Sequence, residues 1–120
     1  MVNLQLGMAE SRFADIVWEK QPVSTKELVE LGNEAFEWKK TTTYTVLKRL
    51  CDKGIFLNEN GTVRALISRS EFYSARSEQF VQESFNGSLP AFLAAFTAGK
   101  TLTAEEVDYL RKMVDEYEVK

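Results

Sequence analysis

The dipeptide Asn60-Gly61 constrains the fold of this chain more than any other feature. It lies between "IFLNE" and "TVRALIS", two short runs that can alternate between faces. Asn-Gly is the strongest short signal for a two-residue hairpin, because both turn positions need positive φ. Strands are therefore expected near Ile55–Asn58 and Thr62–Ser68.

Three segments upstream of this hairpin read as helices. The first spans Met8 to Lys20, with Phe13, Ile16 and Val17 on one face, and Pro22 stops the pattern. Ser24 and Glu27 form an S-x-x-E capping box, so a second helix starts near Thr25. It buries Leu28, Val29 and Leu31. Gly32 reads as a cap beyond its first part, leaving the stretch to Glu37 as a turn or an irregular extension. The third helix covers Lys40 to Lys53, capped by Gly54. At 100° per residue Thr43, Val46, Leu47 and Leu50 share its back. Thr41, Thr45, Lys48 and Asp52 share its front, flanked by Thr42, Tyr44 and Arg49. Three helices, the last two closely joined, followed by a hairpin describe a winged helix-turn-helix with a two-stranded β wing.

The rest of the chain reads as three more helices: about Glu71 to Phe85, Leu89 to about Thr97 with Pro90 in its first turn, and one capped by Thr103 and Glu106. Val107, Leu110, Val114 and Tyr117 follow 3-4-3 spacing on the last helix. Phe72, Phe80 and Phe85 lie on the fourth, and "LPAFLAAF" is apolar nearly all round. Three helices of this size cannot bury that surface alone. Packing on the chain's own winged helix is one outlet, and packing on a second copy is the other and the expected one. The fold class is thus mostly α: a winged helix over residues 1–70 and a three-helix dimerisation region over 71–120. Phe80, Phe85, Leu89, Phe92, Phe96, Val107, Leu110, Val114 and Tyr117 form the expected dimer interface.

Composition narrows the chemistry. The chain has 120 residues, one cysteine and no histidine. Zinc or thiol–imidazole sites and the commonest general base are thereby disfavoured, so neither an enzyme, a metal site nor a cofactor is expected. A lone Cys51 suits a reducing cytoplasm, where it would serve as a small buried filler. No signal peptide or membrane-length apolar run is visible. The net charge of −3 hides an uneven distribution: residues 38–76 carry 8 basic and 3 acidic side chains, and both flanks are acidic. Local positive potential, not total charge, steers a polyanion.

That basic segment contains Thr41, Thr42 and Thr43, three poor helix formers at the front of a helix. Helix N-termini enter the major groove in helix-turn-helix proteins, and short side chains let the backbone approach DNA. Threonine hydroxyls can bond phosphates or base edges, and their methyls can pack on thymine. Lys39, Lys40, Thr41, Thr42, Thr45, Lys48 and Arg49, with Arg64 on the wing, are the candidate DNA contacts. The simpler alternative is that a threonine caps the helix and the lysines form a solvated face. Trp38 reads as a core anchor.

Three motifs resemble the bacterial penicillinase repressor family of the BlaI/MecI/CopY type. "LQLGMAESRFADIVWEKQPVSTKEL" is similar to its first two helices, with Trp18, Pro22 and Glu27 in place. "WKKTTTYTVLKRLCDKG" is similar to W-x-P-x-T-x-x-T-x-x-x-R-L-x-x-K-G, and "SFNGSLPAFLAAF" to a hinge and dimerisation segment. The resemblance implies a homodimeric repressor on inverted-repeat operators, with DNA contacts at Thr42, Thr45, Lys48, Arg49 and Arg64. Departures from the pattern are Lys40 for a proline, Thr41 for a lysine and Ser11 for a tryptophan; the last should weaken the core or open a pocket. The C-terminal cysteine cluster of copper-responsive members is missing. Antibiotic-responsive members answer to a membrane sensor-protease pathway that ends in cleavage of an Asn-Phe bond. The matching bond here, Ala95-Phe96, keeps only the phenylalanine. Release by another protease, or by binding near the dimer interface, is therefore expected. The competing function is a winged-helix protein–protein module that no longer binds DNA, for which the acidic flanks speak.

Overall fold

A computed structural model describes residues 2–117. Its elements run α1 (Met8–Lys20), β1 (Val23–Ser24), α2 (Thr25–Phe36), α3 (Lys40–Asp52), β2 (Phe56–Glu59), β3 (Thr62–Ala65), α4 (Arg69–Phe85), α5 (Leu89–Thr97) and α6 (Ala104–Glu116). Residues up to Gln79 form one compact unit and those from Phe80 onward a second, with α4 running through the division.

In the first unit α1, α2 and α3 surround a core of Phe13, Val17, Leu28, Val46, Leu47, Leu50, Ile55, Phe56 and Val63. The hairpin forms as its Asn-Gly demands: Asn60 has φ 52° and Gly61 φ 88°, and the Asn58 side-chain oxygen accepts from the Gly61 N–H at 3.0 Å. The wing is two-stranded, but it belongs to a three-stranded antiparallel sheet of order β1-β3-β2. The sequence gives no local sign of β1. It is two residues long, and its pairing of Val23 with Val63 is non-local.

Two helix boundaries differ from expectation. Helix α2 does not stop at Gly32 but continues to Phe36, where Glu37 takes the left-handed conformation at φ 59°. Gly32 serves a different purpose. A Cβ placed there would lie 2.7 Å from Thr43 Oγ1 and 3.6 Å from the Trp38 ring, so α3 crosses α2 on a glycine backbone. Helix α4 begins earlier than expected because Ser68 and Glu71 form an unforeseen capping box. Ser68 Oγ accepts from the Glu71 N–H at 3.0 Å, and Glu71 Oε1 from the Ser68 N–H at 3.2 Å.

Phe72, expected on the free surface of the helical region, is instead fully buried in the first unit. Its ring lies 5.4 Å from Trp18, which also packs on Phe56 at 5.3 Å and donates from Nε1 to the Ile67 carbonyl at 3.0 Å. Ser11 is half-buried and hydrogen-bonded. Its hydroxyl lies 3.2 Å from Tyr73 Oη, which donates to Asp15 Oδ1 at 3.3 Å, so a polar link stands where an indole was expected.

Glu10 closes the other end of the unit. Its carboxylate accepts from the Gly7 N–H at 3.0 Å and pairs with Lys53 Nζ at 3.2 Å, and Lys53 also donates to the Gln5 carbonyl at 2.7 Å. The Gly7 N–H, followed by Lys53, holds the Glu10 carboxyl below the usual glutamate range, against the opposing effect of burial.

Gly32→Ala should cost about 1–3 kcal/mol by overpacking. Combined with Thr43→Ala, which clears the opposing side chain, it should cost less than the sum of the single changes. Urea titration of the four proteins measures this coupling. Because the folded pKa of Glu10 is depressed, its contribution is present above the unfolded pKa and lost as pH falls through the folded one. Glu10→Gln should therefore destabilise by about 1–2 kcal/mol at neutral pH. Thermal melts should show the gap closing in acid.

Candidate nucleic-acid interface

Helix α3 separates its faces cleanly. Thr43, Val46, Leu47 and Leu50 are buried; Thr41, Thr42, Tyr44, Thr45, Lys48 and Arg49 are exposed. Trp38 anchors the start of the helix: its ring lies 5.4 Å from Phe13 and 4.6 Å from Phe36, and its backbone N–H donates to the Gly32 carbonyl at 3.3 Å. Lys39 occupies the N-cap in extended conformation and no side chain caps the helix. Neither Thr41 nor Thr42 is spent on capping. The first-turn amides and the positive end of the helix dipole are thus left available to an anion.

The threonines are not equivalent. Thr45 Oγ1 donates to the Thr41 carbonyl at 2.9 Å, a back-bond along the helix. With its proton so engaged, Thr45 presents its methyl and an accepting oxygen outward. Lys40 Nζ lies 5.9 Å from the centre of the Tyr44 ring. Two candidate cations already have partners: Lys48 Nζ pairs with Asp52 Oδ2 at 3.0 Å, and Arg64 Nε with Glu59 Oε1 at 3.0 Å. All four side chains are more than half exposed. Such pairs are worth about 0–1 kcal/mol, so a phosphate can displace the carboxylates at little cost.

Arg64 stands on β3 beside the buried Val63 and opposite Leu57, pointing away from the core. All eight candidate DNA contacts belong to the first unit, and all eight are exposed. Cys51 is half-buried on α3, and burial, with Asp52 adding to it, pushes its thiol up, so it is a protonated filler at neutral pH.

The second unit has the opposite character. No residue of α5 or α6 is buried. Phe80, Phe85, Phe92 and Phe96 form a chain of ring contacts 5.6–6.0 Å apart. Phe96, expected at the dimer interface, is 52% exposed in the single chain, with Lys100 Nζ 4.2 Å over its ring. Leu110, Val114 and Tyr117 are 41%, 72% and 80% exposed, and Leu89 57%. A cleft of about 470 Å³ lies between α5 and α6, lined by Phe92, Leu93, Phe96, Leu102, Tyr109, Leu110 and Met113. Leu93, Leu102, Tyr109 and Met113 line this cleft and are not among the residues expected at the dimer interface. The i, i+4 spacing of Tyr109 and Met113, which flanks the stripe through Leu110, was the signal that marks them.

Comparison with known proteins agrees with this architecture. The model of the penicillinase repressor family matches residues 6–116. The chain is 25% identical over 118 residues to the penicillinase repressor of Bacillus licheniformis, covering 94% of this chain and 91% of that one. It is 22% identical over 115 residues to the methicillin resistance regulatory protein MecI of Staphylococcus aureus (strain Mu50 / ATCC 700699), covering 92% and 94%. Its identity to the corresponding protein of Mammaliicoccus sciuri is 21%, at the same coverage. With nearly the whole chain matched, and with a basic helix-and-hairpin face in the first unit, the chain belongs to the penicillinase repressor family, whose members are transcriptional repressors and not enzymes.

Proposed function

We propose that this chain is a cytoplasmic, sequence-specific DNA-binding repressor that acts as a homodimer on inverted-repeat operators. The observation that carries the reading is the front of α3: an uncapped helix start beside Lys39 and Lys40, then Thr41, Thr42, Thr45, Lys48 and Arg49, all exposed above a rigid apolar back. The helix enters the major groove. Thr42 and Thr45 meet base edges, the lysines and Arg49 meet phosphates or guanine, and Arg64 meets a flanking phosphate from the wing.

A second copy covers the apolar surface of α5 and α6. Two recognition helices on one body then bind two half-sites together, with the gain in effective concentration this brings. The names of the relatives point to antibiotic-resistance genes as the regulated class. Release does not run through an asparagine-requiring cut at Ala95-Phe96. The bond lacks its asparagine, and Ala94-Ala95 favours helix over the extended backbone a protease needs.

Salt-dependent mobility shift tests the DNA contacts. Lys48→Ala should weaken all duplexes similarly and flatten the salt slope by about 0.9 per lost phosphate contact. Thr45→Ala should leave the slope and relax base preference. A slope unchanged in Lys48→Ala removes Lys48 from the phosphate set, and wild-type protein that shifts no duplex leaves the protein–protein module as the function.

Sedimentation tests the assembly. Leu110→Asp would bury a charge without a partner and should give a monomer whose winged helix stays folded. Operator affinity should fall at least tenfold. A wild-type monomer at micromolar concentration would refute the dimer.

A further inference from the structure

Arg12 has no place in the DNA-contact set drawn from the recognition helix and the wing. It projects from α1, and its guanidinium carbon sits 5.0 Å over the centre of the Phe36 ring. That ring lies 4.6 Å from Trp38, which in turn packs on Phe13 at 5.4 Å. Trp38 immediately precedes Lys39 and Lys40 and the uncapped start of α3. A stack of three side chains therefore leads from the Arg12 guanidinium to the mouth of the helix.

The ion pairs separate the cations of this face into two groups. Lys48 and Arg64 have carboxylate partners, Asp52 and Glu59. Among the described residues no carboxylate forms an ion pair with Arg12, Lys39 or Lys40. Lys20, Lys26, Arg49 and Arg76 of the same unit likewise form none; of these unpaired cations Lys39 and Lys40 follow Trp38 directly in the chain, and Arg12 meets the ring of Phe36 that packs on it. Arg12 is exposed, its guanidinium carbon sits over the Phe36 ring, and among the described residues its guanidinium N–H groups have no hydrogen-bond partner; a guanidinium held by an aromatic face keeps its N–H edge available to a ligand. A fixed fork of donors suits a phosphodiester better than a free lysine does.

We infer that Arg12 is a further phosphate-binding residue, held by Phe36 and Trp38 beside the start of α3 to grip the DNA backbone next to the half-site. This rests on the DNA-binding reading above. Its sequence signal was absent, because Arg12 lies outside the basic segment and meets Phe36 only in the fold.

The test is the salt dependence of binding to a random-sequence duplex, for wild type, Arg12→Gln and Arg12→Lys. Thermal melts should be alike for the three proteins, because the side chain is exposed. Arg12→Gln should flatten the slope of log K against log salt by about 0.9 per subunit. Arg12→Lys should restore most of the slope while binding more weakly than wild type, since it keeps the charge and loses the stacked fork. A packing role would follow side-chain bulk and leave the slope alone. Wild-type binding with an unchanged slope in Arg12→Gln overturns the inference and spares the DNA reading. A wild-type protein that binds no duplex overturns both.

Discussion

The crossing of α2 and α3 at Gly32 governs everything the first unit presents to its surroundings. Thr43 lies against the bare backbone of Gly32, so close that a single methyl group would collide with it. Its hydroxyl is buried without a hydrogen-bond partner. An unpaired buried hydroxyl is costly, and close approach of the two helices is what offsets it. With the crossing fixed, Trp38 is clamped between Phe13 and Phe36, and the start of α3 has one direction. The threonines beyond it then stand in a defined row instead of on a mobile helix end.

Charge and apolar surface are divided between the two units, and each is incomplete alone. The first unit has a packed core and a basic face partly neutralised by its own carboxylates. Weak, exposed ion pairs of this kind contribute little to stability, so in the proposed complex phosphate could displace the carboxylates. The second unit has almost no core, and its aromatic chain and stripe are left open. A monomer with that much exposed apolar surface would be prone to association. In the proposed dimer a second copy would cover that surface and double the proposed DNA-binding face.

Much of this was legible in the sequence, and what was not shares a cause. Asn60-Gly61, the capping box at Thr103, the start of α2 at Ser24 (where the side chain accepts from the Glu27 N–H but the reciprocal half of the expected box does not form), and the two-sided pattern of α3 are local, and local chemistry decided them. Gly32 was misread because a glycine late in a helix signals a cap as readily as a close crossing; only the position of Thr43, eleven residues on, separates the two. β1, the burial of Phe72, the Ser11–Tyr73 link and the stacking of Arg12 on Phe36 all depend on partners distant in sequence. At the candidate site the residue types could be read directly. The pairing of Lys48 with Asp52 and the back-bond of Thr45 could not, because each depends on rotamers set by the helix.

The most direct test of the account is selection of bound DNA from a random duplex library, with the mass of the resulting complex measured by sedimentation. A winged-helix dimer predicts recovery of an inverted repeat whose half-sites are separated by whole helical turns, carrying two chains per duplex. Recovery of no common sequence, or of a single half-site carrying one chain, would contradict it.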